Sequence, residues 1–212
     1  MTDMTQFALF LAAALLLAVT PGPGIFYVAA RTLAGGRAEG VASSFGTGLG
    51  GLVHVAGGAL GVSAVVLASA ELFTALKLAG AAYLVWLGVR AMLAARREAL
   101  AFADNAQVVG ARRAFREGVL VEALNPKTAM FFLAFIPQFV EPAGSVAAQF
   151  VVLGVVSVAL NTAGDVVVAF LAGRIREGAG ARPELVRRLR EASGAAMVAL
   201  GVGLALARRP VT

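Results

Sequence analysis

The chain lacks cysteine altogether, has one histidine and one tryptophan among 212 residues, and is only 14% charged. Without cysteine, disulfides and thiolate metal sites are excluded. One histidine excludes a multi-histidine metal centre. We expect neither a metal nor a cofactor. A soluble domain carries about 25% charged residues; this chain is 59% hydrophobic with a mean hydropathy of +0.85. The apolar excess runs along the whole length, which describes an integral membrane protein rather than a soluble domain with one anchor. At roughly 20 residues per crossing, the length accommodates about six helices and no separate soluble domain. The N-terminus lacks the basic region of a signal peptide, since Asp3 is the only charge before the apolar run. We read that run as a retained first helix.

The net charge of +6 does not point to nucleic acid. The arginines fall between apolar segments, as orientation in a membrane requires. Six segments stand out, at about 6–30, 41–68, 72–93, 114–139, 146–172 and 191–207. Long basic connections follow the third (Arg90, Arg96, Arg97, Arg112, Arg113, Arg116) and the fifth (Arg174, Arg176, Arg182, Arg187, Arg188, Arg190). Counting Lys and Arg places these connections and the first-to-second link in the cytoplasm, and both termini outside. The expected fold is therefore all-α: a single polytopic membrane helix bundle over residues 1–212 in the lipid bilayer.

Two proline-centred breaks interrupt this pattern. Thr20-Pro21-Gly22-Pro23-Gly24 lies in the first segment and Asn125-Pro126-Lys127 in the fourth. Proline removes a backbone donor and clashes with the preceding turn, while Gly22 and Gly24 permit dihedrals that other residues avoid. Lipid cannot satisfy the freed backbone groups, so such breaks persist at depth only inside protein or beside a wet cavity. Halves 1–93 and 112–207 each hold three segments, with the break in the first. An odd number per half inverts the second half, which is the pattern of a 3+3 inverted repeat with two broken helices around a binding site.

Polar residues gather near the second break. Asn125 can donate and accept. Lys127 is costly at this depth; it could bind a substrate carboxylate, pair with an acid, lie in a wet vestibule or snorkel to an interface. Glu122 precedes the motif and reads as nearer a surface. In the fifth segment Gly154, Ser157, Asn161 and Asp165 form one stripe at helical spacing, which should face the protein interior. Asp165 is a candidate amine ligand or proton carrier, or one partner of an internal salt bridge. His54 shares a face with Gly46, Gly50 and Gly58, where small residues allow close helix approach. It is either a hydrogen-bonded packing histidine or a proton relay.

The substrate-binding candidates are thus Pro21, Gly22, Pro23, Gly24, Asn125, Pro126, Lys127, Asn161 and Asp165. The proton-coupling candidates are Asp165, Glu122 and His54. An intramembrane hydrolase would need an activated nucleophile. No Gly-x-Ser-x-Gly elbow is present, and Ser63 lies on a different face from His54. A non-transporting scaffold or channel would leave the buried charges and paired breaks without purpose.

At these residues the chain resembles the LysE/RhtB amino-acid exporters of bacteria. The stretches that carry the resemblance are Thr20-Pro-Gly-Pro with the glycines through Gly61, the run from Leu78 to Arg90, and the run from Asn125 to Phe139. The resemblance implies export of amino acids or related small metabolites across the cytoplasmic membrane, driven by proton motive force. It implies six helices and leaves open a homodimer. This chain departs from the family at Glu122, where a small polar residue is common, and at Asn161, where an acid is common. Asp165 stands one turn on, on the same face.

Overall fold

The structure is a computed structural model that describes residues 4–68, 70–104, 108–141, 143–178 and 183–206. Among the described residues every regular element is helical. The helices are α1 (Met4–Val19), α2 (Pro23–Gly35), α3 (Arg37–Ala68), α4 (Ala70–Asp104), α5 (Ala111–Ala123), α6 (Pro126–Met130), α7 (Val146–Gly178) and α8 (Pro183–Leu206). A π-helical turn, Phe131–Phe135, and a 3-10 turn, Ile136–Phe139, prolong α6.

Both proline motifs break a helix. The chain bends by 44° between α1 and α2, and by 42° between α5 and α6 with its extension. Gly22 is extended and Pro23 opens α2, a position where the missing N–H costs nothing. Asn125 and Pro126 open α6 in the same way. Lys77–Ala94 and Val146–Arg176 are long and apolar enough to cross a membrane. Each bent pair adds a crossing if it forms one span, which gives two to four among the described residues.

α3 lies between α5 and α7. A β-carbon at Gly46 would collide with the Phe115 carbonyl, and one at Gly118 would stand 2.8 Å from the Ser43 carbonyl. The glycine face of α3 thus lets its backbone meet that of α5. Gly51 faces Val158 of α7. α2 packs on α3 and α7, α1 on α7, and α4 on α8. α2 and α3 join at Gly36, whose φ of 85° suits a residue without a β-carbon.

The basic stretches drawn above as connections are largely helical. Arg90, Arg96 and Arg97 lie within α4, Arg174 and Arg176 within α7, and Arg187, Arg188 and Arg190 within α8. Alanine, arginine, leucine and glutamate are good helix formers, and neither proline nor glycine interrupts residues 91–104. At the start of α8, hydrogen bonds from Arg187 and then Arg188 hold the exposed Glu184 carboxyl down at about 2.

The core joins Phe10, Ala14 and Leu17 of α1 to Phe131, Phe132 and Ile136 after the second break, and to Phe150 and Leu153 of α7. Phe10 meets Phe139 edge-on at 5.6 Å, and Phe132 meets Phe150 at 6.1 Å. Many large apolar side chains point outward, among them Leu49, Leu52, Val152, Val155 and Phe170. Charged groups lie within: Glu39, Glu122, Lys127 and Asp165 are all buried. Apolar outside and polar inside is the arrangement that lipid as a solvent demands.

Candidate functional site at the two helix breaks

In an unbroken helix the Leu17 carbonyl would accept from the N–H of residue 21, and the Glu122 carbonyl from residue 126. Both positions are proline, so both carbonyls lose that donor and keep only the N–H three residues on, from Thr20 at 3.2 Å and from Asn125 at 3.0 Å. The structure supplies replacements from elsewhere in the chain. Lys127 Nζ donates to the Thr20 carbonyl at 2.9 Å and to the Leu17 carbonyl at 3.3 Å. His54 Nε2–H donates to the Glu122 carbonyl at 2.8 Å. The ammonium of the second break therefore caps the helix end left open at the first. The two breaks are in contact.

Break one accommodates this by having no side chains at key points. A β-carbon at Gly22 would stand 3.0 Å from Lys127 Nζ, and one at Gly24 would stand 2.7 Å from Glu122 Oε2. Break two caps itself. The Asn125 side-chain oxygen accepts the Lys127 backbone N–H at 3.0 Å, an ordinary N-cap. Asn125 Nδ2 donates to Glu122 Oε2 at 2.9 Å, and the Thr128 hydroxyl donates to Glu122 Oε1 at 2.6 Å. Glu122, expected nearer a surface, is 3% exposed because it serves as the hub of this turn.

The stripe on α7 faces inward. Ser157 and Asp165 are buried and Asn161 is half-buried. Asp165 Oδ2 accepts from the Thr47 hydroxyl of α3 at 2.6 Å. Asp165 Oδ1 and the Ser157 hydroxyl have no hydrogen-bond partner among the described residues. A small cavity of about 10 Å³ lies between α1, α3, α5, α6 and α7, with room for about one water. Its polar lining is Thr47, Glu122, Thr128, Ser157 and Asn161. Asp165 stands one helical turn beyond Asn161, tied to the cavity through Thr47. His54 lies behind Glu122, with its ring 5.8 Å from that of Phe132.

The expected salt-bridge alternative for Lys127 does not form. Its ammonium faces carbonyls, with Glu122 and Asp165 within electrostatic reach but unpaired with it. Thr47 and Thr128, which hold the two acids, were not anticipated. Ser43 and Thr47 form a hydroxyl pair at helical spacing on apolar α3, and both are fully buried; that pair was the available signal. Glu39 was also missed. It is buried at the start of α3, and its Oε1 accepts the N–H groups of Val109 (2.9 Å) and Gly110 (2.6 Å), which lead into α5. Tyr27 of α2 reaches α5 by donating to Glu117 Oε2 at 3.0 Å. Among the described residues no group of three His, Asp or Glu side chains is placed to hold a metal ion.

The profile of the LysE type translocator family matches residues 15–208. The chain is 33% identical over 201 residues to a homoserine/homoserine lactone efflux protein of Salmonella typhimurium, covering 94% of this chain and 95% of that one. It is 32% identical over 208 residues to an uncharacterized membrane protein of Pseudomonas aeruginosa, with 96% of each chain covered. A leucine efflux protein of Klebsiella pneumoniae is 26% identical over 132 residues, or 62% of each chain. No solved structure matches. A helical protein with apolar outer faces, two bent helix pairs and a buried polar junction, matched over nearly its whole length by this profile, belongs to the LysE type translocator family and is a multi-pass membrane transporter rather than an enzyme.

Proposed function

We propose that this chain exports amino acids or related small zwitterionic metabolites from the cytoplasm across the inner membrane, as a secondary transporter driven by proton motive force. The basic helix ends face the cytoplasm. The chain crosses six times, as two inverted triplets: α1/α2, α3 and α4, then α5/α6, α7 and α8. The packing of α3 on α5, of α7 on α1 and α2, and of α4 on α8 supports that pairing. The relatives named for homoserine and leucine efflux support the substrate class.

The observation that carries the reading is the bond from Lys127 of the second break to the Thr20 carbonyl of the first. It joins the two broken helices at one buried point, next to a polar cavity. Broken helices meeting inside the membrane offer backbone groups to a substrate and a joint about which two halves can rock. The cavity is too small for an amino acid, so the state described is closed, and the triplets must part to load. Pro21, Gly22, Pro23, Gly24, Asn125, Pro126, Lys127, Asn161 and Asp165 shape the substrate site. Asp165, which has one oxygen without a partner among the described residues, carries the coupling proton.

Counterflow of labelled homoserine and leucine in proteoliposomes, with and without a proton gradient, tests this. Wild-type protein is expected to exchange at least one of them and to accumulate it against the gradient. The Asp165→Asn variant should reach the membrane yet lose gradient-driven transport. Full gradient-driven transport by Asp165→Asn would overturn its role. No counterflow of any amino acid would favour a scaffold.

A further inference from the structure

The cavity beside the breaks is sealed differently toward its two ends. α7 runs for 33 residues, so its start and its basic end lie on opposite faces of the molecule. Near the start of α7 a groove of about 400 Å³ opens between Phe7, Ser145, Gln149 and Leu153. One turn beyond Leu153 is Ser157, on the wall of the small cavity. On α1, Phe10 falls between Phe7 of the groove and Ala14 of the cavity. The seal at this end is apolar, with Phe10 and Phe150 fully buried in the core beside Leu153.

At the basic end the seal is polar, and its bonds join the two halves of the chain. Glu39 lies in the first turn of α3. Its Oε1 accepts the Val109 N–H at 2.9 Å and the Gly110 N–H at 2.6 Å, at the entry to α5. A β-carbon at Gly35 would collide with this carboxyl, so the end of α2 leaves room for it. The Tyr27 hydroxyl of α2 donates to Glu117 Oε2 of α5 at 3.0 Å, and Arg113 holds the other oxygen of that carboxylate at 2.7 Å. Two turns further along α3, Gly46 meets the α5 backbone with no interlocking side chain. Helices in such a contact can rock on each other, whereas the bonds of Glu39 and Tyr27 must break.

The Glu39 bonds are also suited to breaking. Its Oε2 is buried without a partner among the described residues, which disfavours the closed state. Water entering at the basic end would satisfy that oxygen and take over the two N–H groups. We infer that Glu39 and Tyr27 are positioning residues of the cytoplasmic gate. They hold α5 of the second half against α2 and α3 of the first, and loading requires their release. The inference rests on the exporter reading above and adds the contacts that part.

The chain has no cysteine, so Ser157→Cys places a single thiol on the cavity wall. A membrane-impermeant maleimide is applied to that full chain in inverted and in right-side-out vesicles, which present the cytoplasmic and outer faces. Adding Glu39→Ala should speed labelling from the cytoplasmic face about tenfold, a population shift of about 1.4 kcal/mol. Tyr27→Phe, which removes one hydroxyl, should speed it by about threefold. Glu39→Gln keeps an oxygen acceptor and should return the rate close to that of Ser157→Cys alone. If Glu39→Ala fails to fold, Tyr27→Phe and Glu39→Gln decide. No faster labelling from the cytoplasmic face in the folded variants, or an equal rise from both faces, overturns the gate and leaves the exporter standing. The exporter reading fails separately, if wild-type protein shows no counterflow of any amino acid.

Discussion

The two breaks solve the same problem with different means. Each loses a backbone donor to a proline, and each leaves a carbonyl exposed four residues earlier. The first break, built from proline and glycine, carries no polar side chain beyond Thr20 and borrows its donor from Lys127. The second break provides its own cap through Asn125 and takes one further donor from His54. The first is a receiver and the second a supplier. The two bent pairs therefore differ in chemistry while sharing a backbone geometry, with bends of 44° and 42°. Glycine at the first break is as necessary as lysine at the second, since Gly22 and Gly24 make the space that Lys127 and Glu122 fill.

If supplier and receiver are unequal, removing their donors should have unequal cost. Lys127→Met should have the larger effect. It strands the Thr20 carbonyl, at about 1–3 kcal/mol for an unsatisfied group, and leaves the Leu17 carbonyl only the Thr20 N–H at 3.2 Å. Thermal unfolding in detergent should shift strongly downward, and transport should cease. A Lys127→Met protein as stable as wild type would break the comparison, because the first break would then be satisfied without its neighbour.

His54→Leu should cost less, about 1 kcal/mol. The Glu122 carbonyl keeps a second donor, the Asn125 N–H at 3.0 Å. His54→Gln, which retains a side-chain N–H, should recover most of that loss and keep gradient-driven transport. Loss of coupling in a stable His54→Gln would make the histidine a proton relay and shift the balance between the two breaks.

Much of this arrangement was legible in the sequence, for a physical reason. Proline and glycine act locally, so both breaks and the bent pairs could be placed from residues 20–24 and 125–127 alone. Helical spacing likewise put Ser157, Asn161 and Asp165 on one face. What a one-dimensional pattern cannot hold is the partner of a long side chain. Lys127 stood out as a charge at depth, yet its bond reaches residues 17 and 20, more than a hundred positions away. Glu122 read as a near-surface acid because the hydroxyl and amide that hold it follow it in the chain as ordinary Thr128 and Asn125. The basic stretches were read as connections from charge alone, although their composition favours helix and the structure continues α4 through Arg96 and Arg97 to Asp104.

The central claim is that the breaks meet through one ammonium. Solid-state NMR on bilayer-embedded protein, labelled with ¹⁵N at Lys127 Nζ and ¹³C at the Thr20 carbonyl, reads this directly. A hydrogen bond predicts a separation of about 4 Å between those nuclei. A separation beyond about 8 Å, twice what the bond requires, would contradict the claim and leave the two breaks as independent features of separate helices.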